Sequence, residues 1–291
     1  MRKSIALLVA SIVFGLVALP ARATLLYATS GNDIARFDSG ATGVVTSVPV
    51  TGMQAGESLV GIDTRPATQT LYGVGSSNRL YTINPLTGAA TQVGTAGAFT
   101  LSGTQFAFDF NPVVDRLRVI SNTGQNLRLN PNDGSLAATD TAITPAGVTI
   151  TGAAYDRNAP GSGVTTLYAI DSTNGVFTTV GSINGSPNSP NGGVVGPTVG
   201  SLGLGTALDP RIGLDISGVT NGNAFATILT GGTDKLYAIN LSTGAATLVG
   251  TIGTGTTVYS GVTNAVAVPE PTVLTALSLA AIAAMRRRRA A

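Results

Sequence analysis

The chain has 291 residues, of which 10% are charged, 38 are glycine and none is cysteine or histidine. These counts exclude disulfides, a Ser-His-Asp triad, a Cys-His pair and a histidine-ligated zinc site within one subunit. Short runs of Val, Ile, Leu, Tyr and Thr recur between the glycines, and this pattern indicates a turn-rich, all-β domain.

The basic residues are concentrated at the two ends of the chain. Between Thr24 and Val268, nine Lys and Arg stand against thirteen Asp and Glu, a net charge of −4. Binding to phosphate backbones depends on clustered Lys and Arg. We therefore expect no nucleic-acid partner.

Residues 1–23 have the three parts of a secretory signal peptide. A short positive start precedes an apolar stretch over 5–19, and Ala21 and Ala23 form the A-x-A pattern of a cleavage site. This order predicts a signal helix that directs export and is removed after Ala23. The alternative is an uncleaved anchor helix.

One phrase occurs twice in the body of the chain. LYTINPLTGAATQVGT at 80–95 returns as LYAINLSTGAATLVGT at 236–251, with twelve of sixteen residues identical. Similar units of four short β-like runs, joined by Gly, Pro and Asn turns, recur at about 40 to 50 residues, a period typical of propellers. A β-solenoid and a two-sheet sandwich are the alternatives.

The sequence therefore predicts a five-bladed β-propeller over 24–268. The predicted blades are 24–52 plus 257–268, 58–96, 102–143, 149–204 and 212–253. The first unit lacks its first strand, so we expect the N- and C-terminal strands to pair and close the ring, which removes an open sheet edge. Residues 185–200 form a long insert in the fourth blade, and such inserts often mark a binding face.

Four repeats carry an apolar pair followed by an aspartate, with spacings of 46, 47 and 59 residues. The first strand of each propeller blade lines the central channel, so these residues could form a ring of carboxylates suited to Ca²⁺. The favoured alternative is that each aspartate caps the turn after its strand. These weak candidate calcium ligands are Asp63, Asp109, Asp156 and Asp215.

No catalytic residue and no cofactor are predicted. Glu57 is the only glutamate of the body, so a carboxylate pair for hydrolysis would have to come from aspartates, and nothing in their spacing selects a pair. Lys235 is the only lysine of the body, and its predicted place in a hairpin turn favours an exposed residue over a catalytic Ser-Lys arrangement. Five tyrosines occupy repeat-equivalent positions, which favours packing between blades over a sugar-stacking surface. They are Tyr27, Tyr72, Tyr81, Tyr168 and Tyr237.

The C-terminal residues 269–291 form a tail in three parts. A proline-punctuated motif is followed by an apolar segment over 272–285 and an arginine cluster. Fourteen helical residues span about 21 Å, short of a hydrocarbon core of about 30 Å, and arginine snorkelling can cover the difference. We expect a transmembrane helix with the arginines cytoplasmic. The motif residues are Val268, Pro269, Glu270 and Pro271, and the anchor charges are Arg286, Arg287, Arg288 and Arg289.

This tail resembles the PEP-CTERM sorting signal of Gram-negative bacteria. The resemblance implies recognition by an exosortase, transient anchoring in the inner membrane, and release to the outer surface or an exopolysaccharide matrix. A permanent C-terminal anchor is the alternative.

The body resembles a bacterial secreted family known as domain of unknown function 4394, through its LYxINxxTGAAT hairpins and its LLYA start at residue 25. That resemblance implies a propeller-like repeat and no known activity. We expect an exported, non-enzymatic propeller with a structural or binding role. The alternative is a metal-dependent enzyme, a lactonase-like hydrolase or a polysaccharide lyase, that uses the channel aspartates.

Overall fold

The computed structural model describes residues 23–218 and 222–265, and these residues form five four-stranded antiparallel sheets. The first three blades in chain order contain β1 (Leu25–Thr29), β2 (Asp33–Asp38), β3 (Thr46–Pro49), β4 (Leu59–Arg65), β5 (Thr70–Gly75), β6 (Arg79–Ile83), β7 (Ala90–Val93), β8 (Phe106–Asn111), β9 (Arg116–Ser121), β10 (Asn126–Leu129) and β11 (Leu136–Thr139). The remaining strands are β12 (Ile150–Tyr155), β13 (Leu167–Asp171), β14 (Val176–Val180), β15 (Gly200–Ser201), β16 (Gly213–Ile216), β17 (Ala224–Thr230), β18 (Thr233–Ile239), β19 (Ala246–Thr251) and β20 (Gly261–Asn264).

The chain closes on itself as the sequence predicts. β20 pairs with β1, with Ala28 opposite Val262 and Tyr27 opposite Thr263, so the first blade has the order β20-β1-β2-β3. The inner strands then touch one another in a complete cycle, β20–β4–β8–β12–β16–β20. The prediction of an all-β, five-bladed propeller closed by its terminal strands is confirmed.

The repeated phrase forms the outer hairpin of the second and fifth blades. The side chain of Asn84 accepts hydrogen bonds from the backbone N–H groups of Leu86 and Thr87 in the β6–β7 turn, and Asn240 does the same in the β18–β19 turn. Gly88 then takes a φ of +73°. A Cβ on Gly88 would lie 2.0 Å from the carbonyl oxygen of Pro49 in the preceding blade. The turn therefore needs glycine both for its backbone conformation and for close contact with its neighbour.

The hydrophobic core is divided among the five junctions between adjacent blades. Each of five apolar clusters combines residues of two neighbouring sheets, for example Tyr72 and Leu80 with Phe110 between the second and third blades. Tyr27, Tyr72, Tyr81 and Tyr237 are buried in these junctions, and the partly buried Tyr168 stacks on Phe177 at 5.2 Å. Burying one such large side chain contributes about 1.5–3 kcal/mol.

The insert of the fourth blade packs against the third blade. Thr141 donates its backbone N–H to the carbonyl oxygen of Asn191, and Thr144 does so to Gly193. The side chain of the buried Arg118 also donates to Asn191 Oδ1 at 2.6 Å. One role of the insert is therefore to join the third and fourth blades.

The two predicted terminal helices lie outside the described residues, as do the sorting motif, the arginine cluster and Ala21. Within the described part of the chain, the helices are two three-residue 3-10 turns, Ile183–Gly185 and Pro190–Gly192, and no helix there is long and apolar enough to cross a membrane.

Ring closure predicts a strong effect of a charge in β20. Val262 is 2% exposed and packs in the junction between the first and fifth blades. Val262→Asp should lower the free energy of unfolding by more than about 3 kcal/mol, because it buries an unpaired charge. Val44→Asp, at a side chain that is 73% exposed, is the matched control and should change it by less than about 0.5 kcal/mol. Equal effects in denaturant titrations would contradict the closure.

A second prediction concerns pH and the segment that leads into β20. Asp234 Oδ2 accepts the backbone N–H of Tyr259 at 2.6 Å, and burial raises the pKa of Asp234 to about 6, with Arg211 opposing and Asp209 assisting the shift. The Asp234 carboxyl therefore binds its proton more tightly in the native state than in the unfolded state. The stabilisation of the fold by this bound proton is complete below pH 4 and declines as the pH rises to about 6 and above, by about 3 kcal/mol in total.

Asp234→Asn should remove this decline, so the difference in unfolding free energy, variant minus wild type, should rise by about 3 kcal/mol between pH 4 and pH 7. Asp209→Asn is the control, because hydrogen bonding to Arg211 lowers the pKa of Asp209. Its difference in unfolding free energy should change little between pH 4 and pH 7, since the effect of a lowered pKa is confined mainly to pH values below about 4. A difference for Asp234→Asn that does not change with pH would refute the prediction.

Candidate functional site

One position recurs on every inner strand, and the strand register identifies it. In each blade, this inner-strand residue pairs with one residue of the second strand. That second-strand partner is a tyrosine, a phenylalanine or an arginine, and it occupies an equivalent place in each repeat. In chain order the five pairs are Tyr27 with Thr263, Tyr72 with Asp63, Arg118 with Asp109, Tyr168 with Ala154, and Phe225 with Asp215. The position therefore holds aspartate in three blades, threonine in the first and alanine in the fourth.

The aspartates at this position, Asp63, Asp109 and Asp215, are called the channel aspartates below. Their side chains reach the next blade rather than the turn that follows their own strand. Asp63 Oδ2 accepts the backbone N–H of Phe110 at 2.7 Å, and Asp109 Oδ1 accepts that of Tyr155 at 2.9 Å.

The same inter-blade hydrogen bond occurs on both sides of the first blade. Asp215 Oδ2 accepts the backbone N–H of Asn264 and also its side-chain amide, the latter at 2.7 Å. Thr263 Oγ1 accepts the backbone N–H of Thr64 at 3.2 Å and donates to Asp63 Oδ1 at 2.9 Å. Four of the five junctions thus carry this bond, and the junction after Ala154 has no side-chain acceptor at this position.

The three channel aspartates converge. One carboxylate oxygen from each lies within 4.8 Å of the others, and all three residues are at most 2% exposed. Asp109 Oδ2 and Asp215 Oδ1 are buried without a hydrogen-bond partner. Three carboxylates in one buried volume can share protons or surround a cation, since like charges this close disfavour joint ionisation.

Burial is the largest cause of the altered acidity of this cluster. Burial, followed by the negative charge of Asp215, raises the pKa of Asp63 well above its usual value, although hydrogen bonds from Phe110 and Thr263 oppose the shift. Burial and the charges of Asp63 and Asp215 likewise raise the pKa of Asp109. Burial also raises the pKa of Asp215, against hydrogen bonds from Asn264.

A pocket of about 170 Å³ opens at the end of the channel where the inner strands finish. Its lining includes Asp215 and Thr263 together with Thr64, Asn158, Ser217 and Asn264. Further along the channel the space shrinks to about 10 Å³ between apolar residues. There the ring of Phe108 fills the position that a side chain on Gly61 would occupy, 1.6 Å from the ideal Cβ.

The other sequence-predicted residues lie elsewhere. Asp156 is two residues beyond the shared position, and its Oδ1 accepts the backbone N–H of Thr166 at 2.6 Å across the loop between β12 and β13. The predicted ring of four aspartates is therefore wrong for Asp156 and consists of three. The interpretation as turn caps fits Asp156 alone, because the three channel aspartates bind the neighbouring blade.

Glu57 and Lys235 also lie away from the channel pocket. Glu57 accepts hydrogen bonds from the Tyr81 hydroxyl at 2.5 Å and from Ser77, and these bonds, working against burial, lower the pKa of Glu57. The prediction that Lys235 is an exposed turn residue is wrong, because Lys235 lies in β18, is partly buried and donates to the carbonyl oxygen of Thr230.

Thr263 and Asn264 are site residues that the sequence reasoning missed. A signal was present, because Gly261-Val262-Thr263 matches Gly61-Ile62-Asp63 and Gly213-Leu214-Asp215 in the pattern of glycine, an aliphatic residue and an oxygen-bearing side chain. A search for any hydrogen-bond acceptor at this position, rather than for aspartate alone, would have found Thr263.

The inter-blade bonds predict different effects for two substitutions of one aspartate. Asp109→Ala leaves the buried N–H of Tyr155 without an acceptor and should lower the free energy of unfolding by about 1–3 kcal/mol. Asp109→Asn keeps an acceptor oxygen and removes a buried charge, so in buffer with a chelator at pH 7 it should be neutral or stabilising. Denaturant titrations of the three chains test this order, and an alanine variant as stable as the asparagine variant would contradict it.

Three solved structures are similar to the chain at low sequence identity. No curated protein matches the chain. A structural genomics protein of unknown function from Bacteroides thetaiotaomicron is 16% identical, with a TM-score of 0.47 over 79% of this chain and 58% of that one. BBS1N, solved in complex with ARL6DN, gives 12% identity and a TM-score of 0.40, and the Dos1 propeller gives 11% and 0.39. For both, 78% of this chain and 63% of the other are covered, so the chain spans about three fifths of the length of the structures it matches.

The sequence profile of one family, described as Domain of unknown function (DUF4394), matches residues 33–261. This range begins at the first residue of β2 and ends at the first residue of β20, so it includes nineteen of the twenty strands of the ring in whole or in part. The chain belongs to the DUF4394 family.

Proposed function

We propose that this chain is an exported, non-enzymatic propeller, sorted through its C-terminal tail to the cell envelope or the exopolysaccharide matrix, where it has a structural or binding role. The observation that carries the non-enzymatic part is the use of the channel aspartates. One oxygen of each accepts a backbone N–H group of the next blade. This bonding gives the channel aspartates a role in joining the blades, which needs no substrate.

Export is supported by the fit between the signal sequence and the start of the propeller. The signal cleavage pattern ends at Ala23, and β1 of the ring begins at Leu25. The backbone N–H of Thr24 donates to Ser39 Oγ at 2.9 Å, and its carbonyl oxygen accepts the N–H of Ser39. Cleavage after Ala23 would leave the ring intact, and the secretion machinery and an exosortase are the partners that this route requires.

A role in the envelope or matrix is supported by the charge and surface of the body. The net charge of −4 over 24–268 disfavours binding to nucleic acid. Exposed turns between the outer strands carry Asn, Ser and Thr, such as Ser242 and Thr243. Neutral hydroxyl and amide groups suit hydrogen bonding to polysaccharide, which is the ligand class that we propose for a binding role.

The second candidate function is a metal-dependent hydrolase or lyase, and the convergence of the channel aspartates within 4.8 Å favours it. The pocket above them measures about 170 Å³, whereas small-molecule sites are usually about 300–1,000 Å³. Turnover of lactones or acidic polysaccharides by the purified chain, lost in Asp109→Asn, would establish this function in place of the first.

The sorting proposal predicts two cuts. In a host with an exosortase, intact-mass measurement of the exported protein should show a chain that begins at Thr24 and lacks Arg286, Arg287, Arg288 and Arg289. A triple variant with Pro269, Glu270 and Pro271 changed to alanine should keep the arginines and stay in the membrane fraction. Leu86→Ala, in an exposed turn, is the control and should be processed like the wild type.

A wild-type chain that retains the four arginines would contradict processing and favour a permanent anchor. Glycan-array binding by the purified chain tests the ligand class separately. A negative array would remove polysaccharide binding and leave the structural role.

A further inference from the structure

Unpartnered buried oxygen atoms are concentrated around the channel pocket. Seven buried side-chain atoms of the described residues lack a hydrogen-bond partner, and all seven are oxygens. Four of them belong to residues that line the 170 Å³ pocket, and a fifth belongs to a channel aspartate. The four are Thr64 Oγ1, Asn158 Oδ1, Asp215 Oδ1 and Asn264 Oδ1, and the fifth is Asp109 Oδ2.

These atoms do not come from one acidic cluster alone. Thr64 is 8% exposed, and its hydroxyl lines the pocket with Asp215 although it forms no hydrogen bond. Buried polar atoms are nearly always hydrogen-bonded, and each exception calls for a specific reason, such as a bound water or ion. Four exceptions around one small volume point to a ligand in that volume.

The chemistry of the donor set identifies the class of that partner. The set contains carboxylate, amide and hydroxyl oxygens, with neither nitrogen nor sulfur, and such sets bind hard cations. None of the described lining residues is basic. An anion or a neutral donor would leave the negative charge of the channel aspartates without compensation.

The donor set favours Ca²⁺ over Mg²⁺. Ca²⁺ takes about six to eight oxygen ligands in flexible geometry, whereas Mg²⁺ demands near-ideal octahedral geometry and usually keeps several waters. One oxygen from each channel aspartate lies within 4.8 Å of the others, which is close enough for all three to bind one ion. Every carboxylate oxygen has two lone pairs, so Asp63, whose oxygens already accept hydrogen bonds, can also contribute.

We infer that the channel holds one Ca²⁺-like divalent cation between the channel aspartates and the oxygens of Thr64 and Asn264, with Asn158 at the rim of the pocket. These residues come from all five blades: Asn264 from the first, Asp63 and Thr64 from the second, Asp109 from the third, Asn158 from the loop after β12 and Asp215 from the fifth. The ion therefore joins four of the five blades at the axis of the ring, with Asn158 of the fourth blade beside it.

This cation site is independent of export and of any glycan ligand. Its consequence is a ring whose stability depends on the concentration of the ion, because an ion that binds only the folded state stabilises it by mass action. The site requires no substrate and no turnover.

The test is titration of the purified full-length chain with CaCl₂ after treatment with a chelator. We expect calorimetry to show about one ion bound per chain, and the melting temperature to rise by several degrees at saturating Ca²⁺. Asp109→Asn and Asp215→Asn should each lower the affinity at least tenfold. Asp133→Asn is the matched control and should bind Ca²⁺ like the wild type. Asp133 lies in the exposed β10–β11 turn, where its Oδ1 accepts the backbone N–H of Ser135.

Circular dichroism establishes that each variant is folded. Should either aspartate variant fail to fold, Thr64→Val, which removes one oxygen and keeps the shape of the side chain, takes its place and should weaken binding. No heat and no shift in melting temperature with the wild-type chain would overturn the inference. Unchanged affinity in folded Asp109→Asn and Asp215→Asn would overturn it equally.

Discussion

The pairing of β1 with β20 is the constraint on which the rest of this structure depends. It joins residues near the two ends of the described chain, Leu25–Thr29 and Gly261–Asn264, in one sheet. Because the ring is closed, every inner strand has two neighbours around the axis, and every apolar sheet face is covered by the next blade. Residues that are far apart in the sequence, such as Asp63 and Thr263, meet only because of this closure.

At the axis of the ring, the three buried carboxylates cost free energy and also join adjacent blades. Burying three carboxylates is unfavourable, and the free energy is recovered only when their oxygens find donors or a cation. The backbone N–H of the next inner strand supplies one donor at each aspartate, and a cation in the pocket would supply the rest. The position of Ala154 shows that the ring tolerates one junction without this bond. The same carboxylates thus join the blades, and Asp215 also lines the pocket at the end of the channel.

Much of this architecture could be read from the sequence because repetition makes local signals reinforce one another. The turns NPLTG and NLSTG specify a hairpin through Asn side-chain bonds and a left-handed glycine, and their recurrence indicates blades. The missing first strand of the first repeat then predicts closure. These features depend on neighbouring residues and on a count of repeats, so no knowledge of long-range packing is needed.

The candidate site was predictable only in part, because its geometry depends on register. Asp156 follows a similar apolar pair, but β12 places it two residues beyond the channel position, and Ala154 takes its place. Whether a carboxylate caps its own turn or binds the next blade is decided by the distance between two sheets, which is a tertiary property. The threonine at 263 performs the aspartate's role with a different side chain, so a search for identical residues passes over it.

Native-state hydrogen exchange of β20 and β1 tests the central claim most directly. If these strands close the ring, the amides of Gly261–Asn264 and Leu25–Thr29 should exchange only through global unfolding, with the same free energy of opening as the amides of β4 and β5. Exchange of β20 at a much lower free energy, while the other four sheets remain protected, would show that the ring does not depend on this closure and would contradict the account.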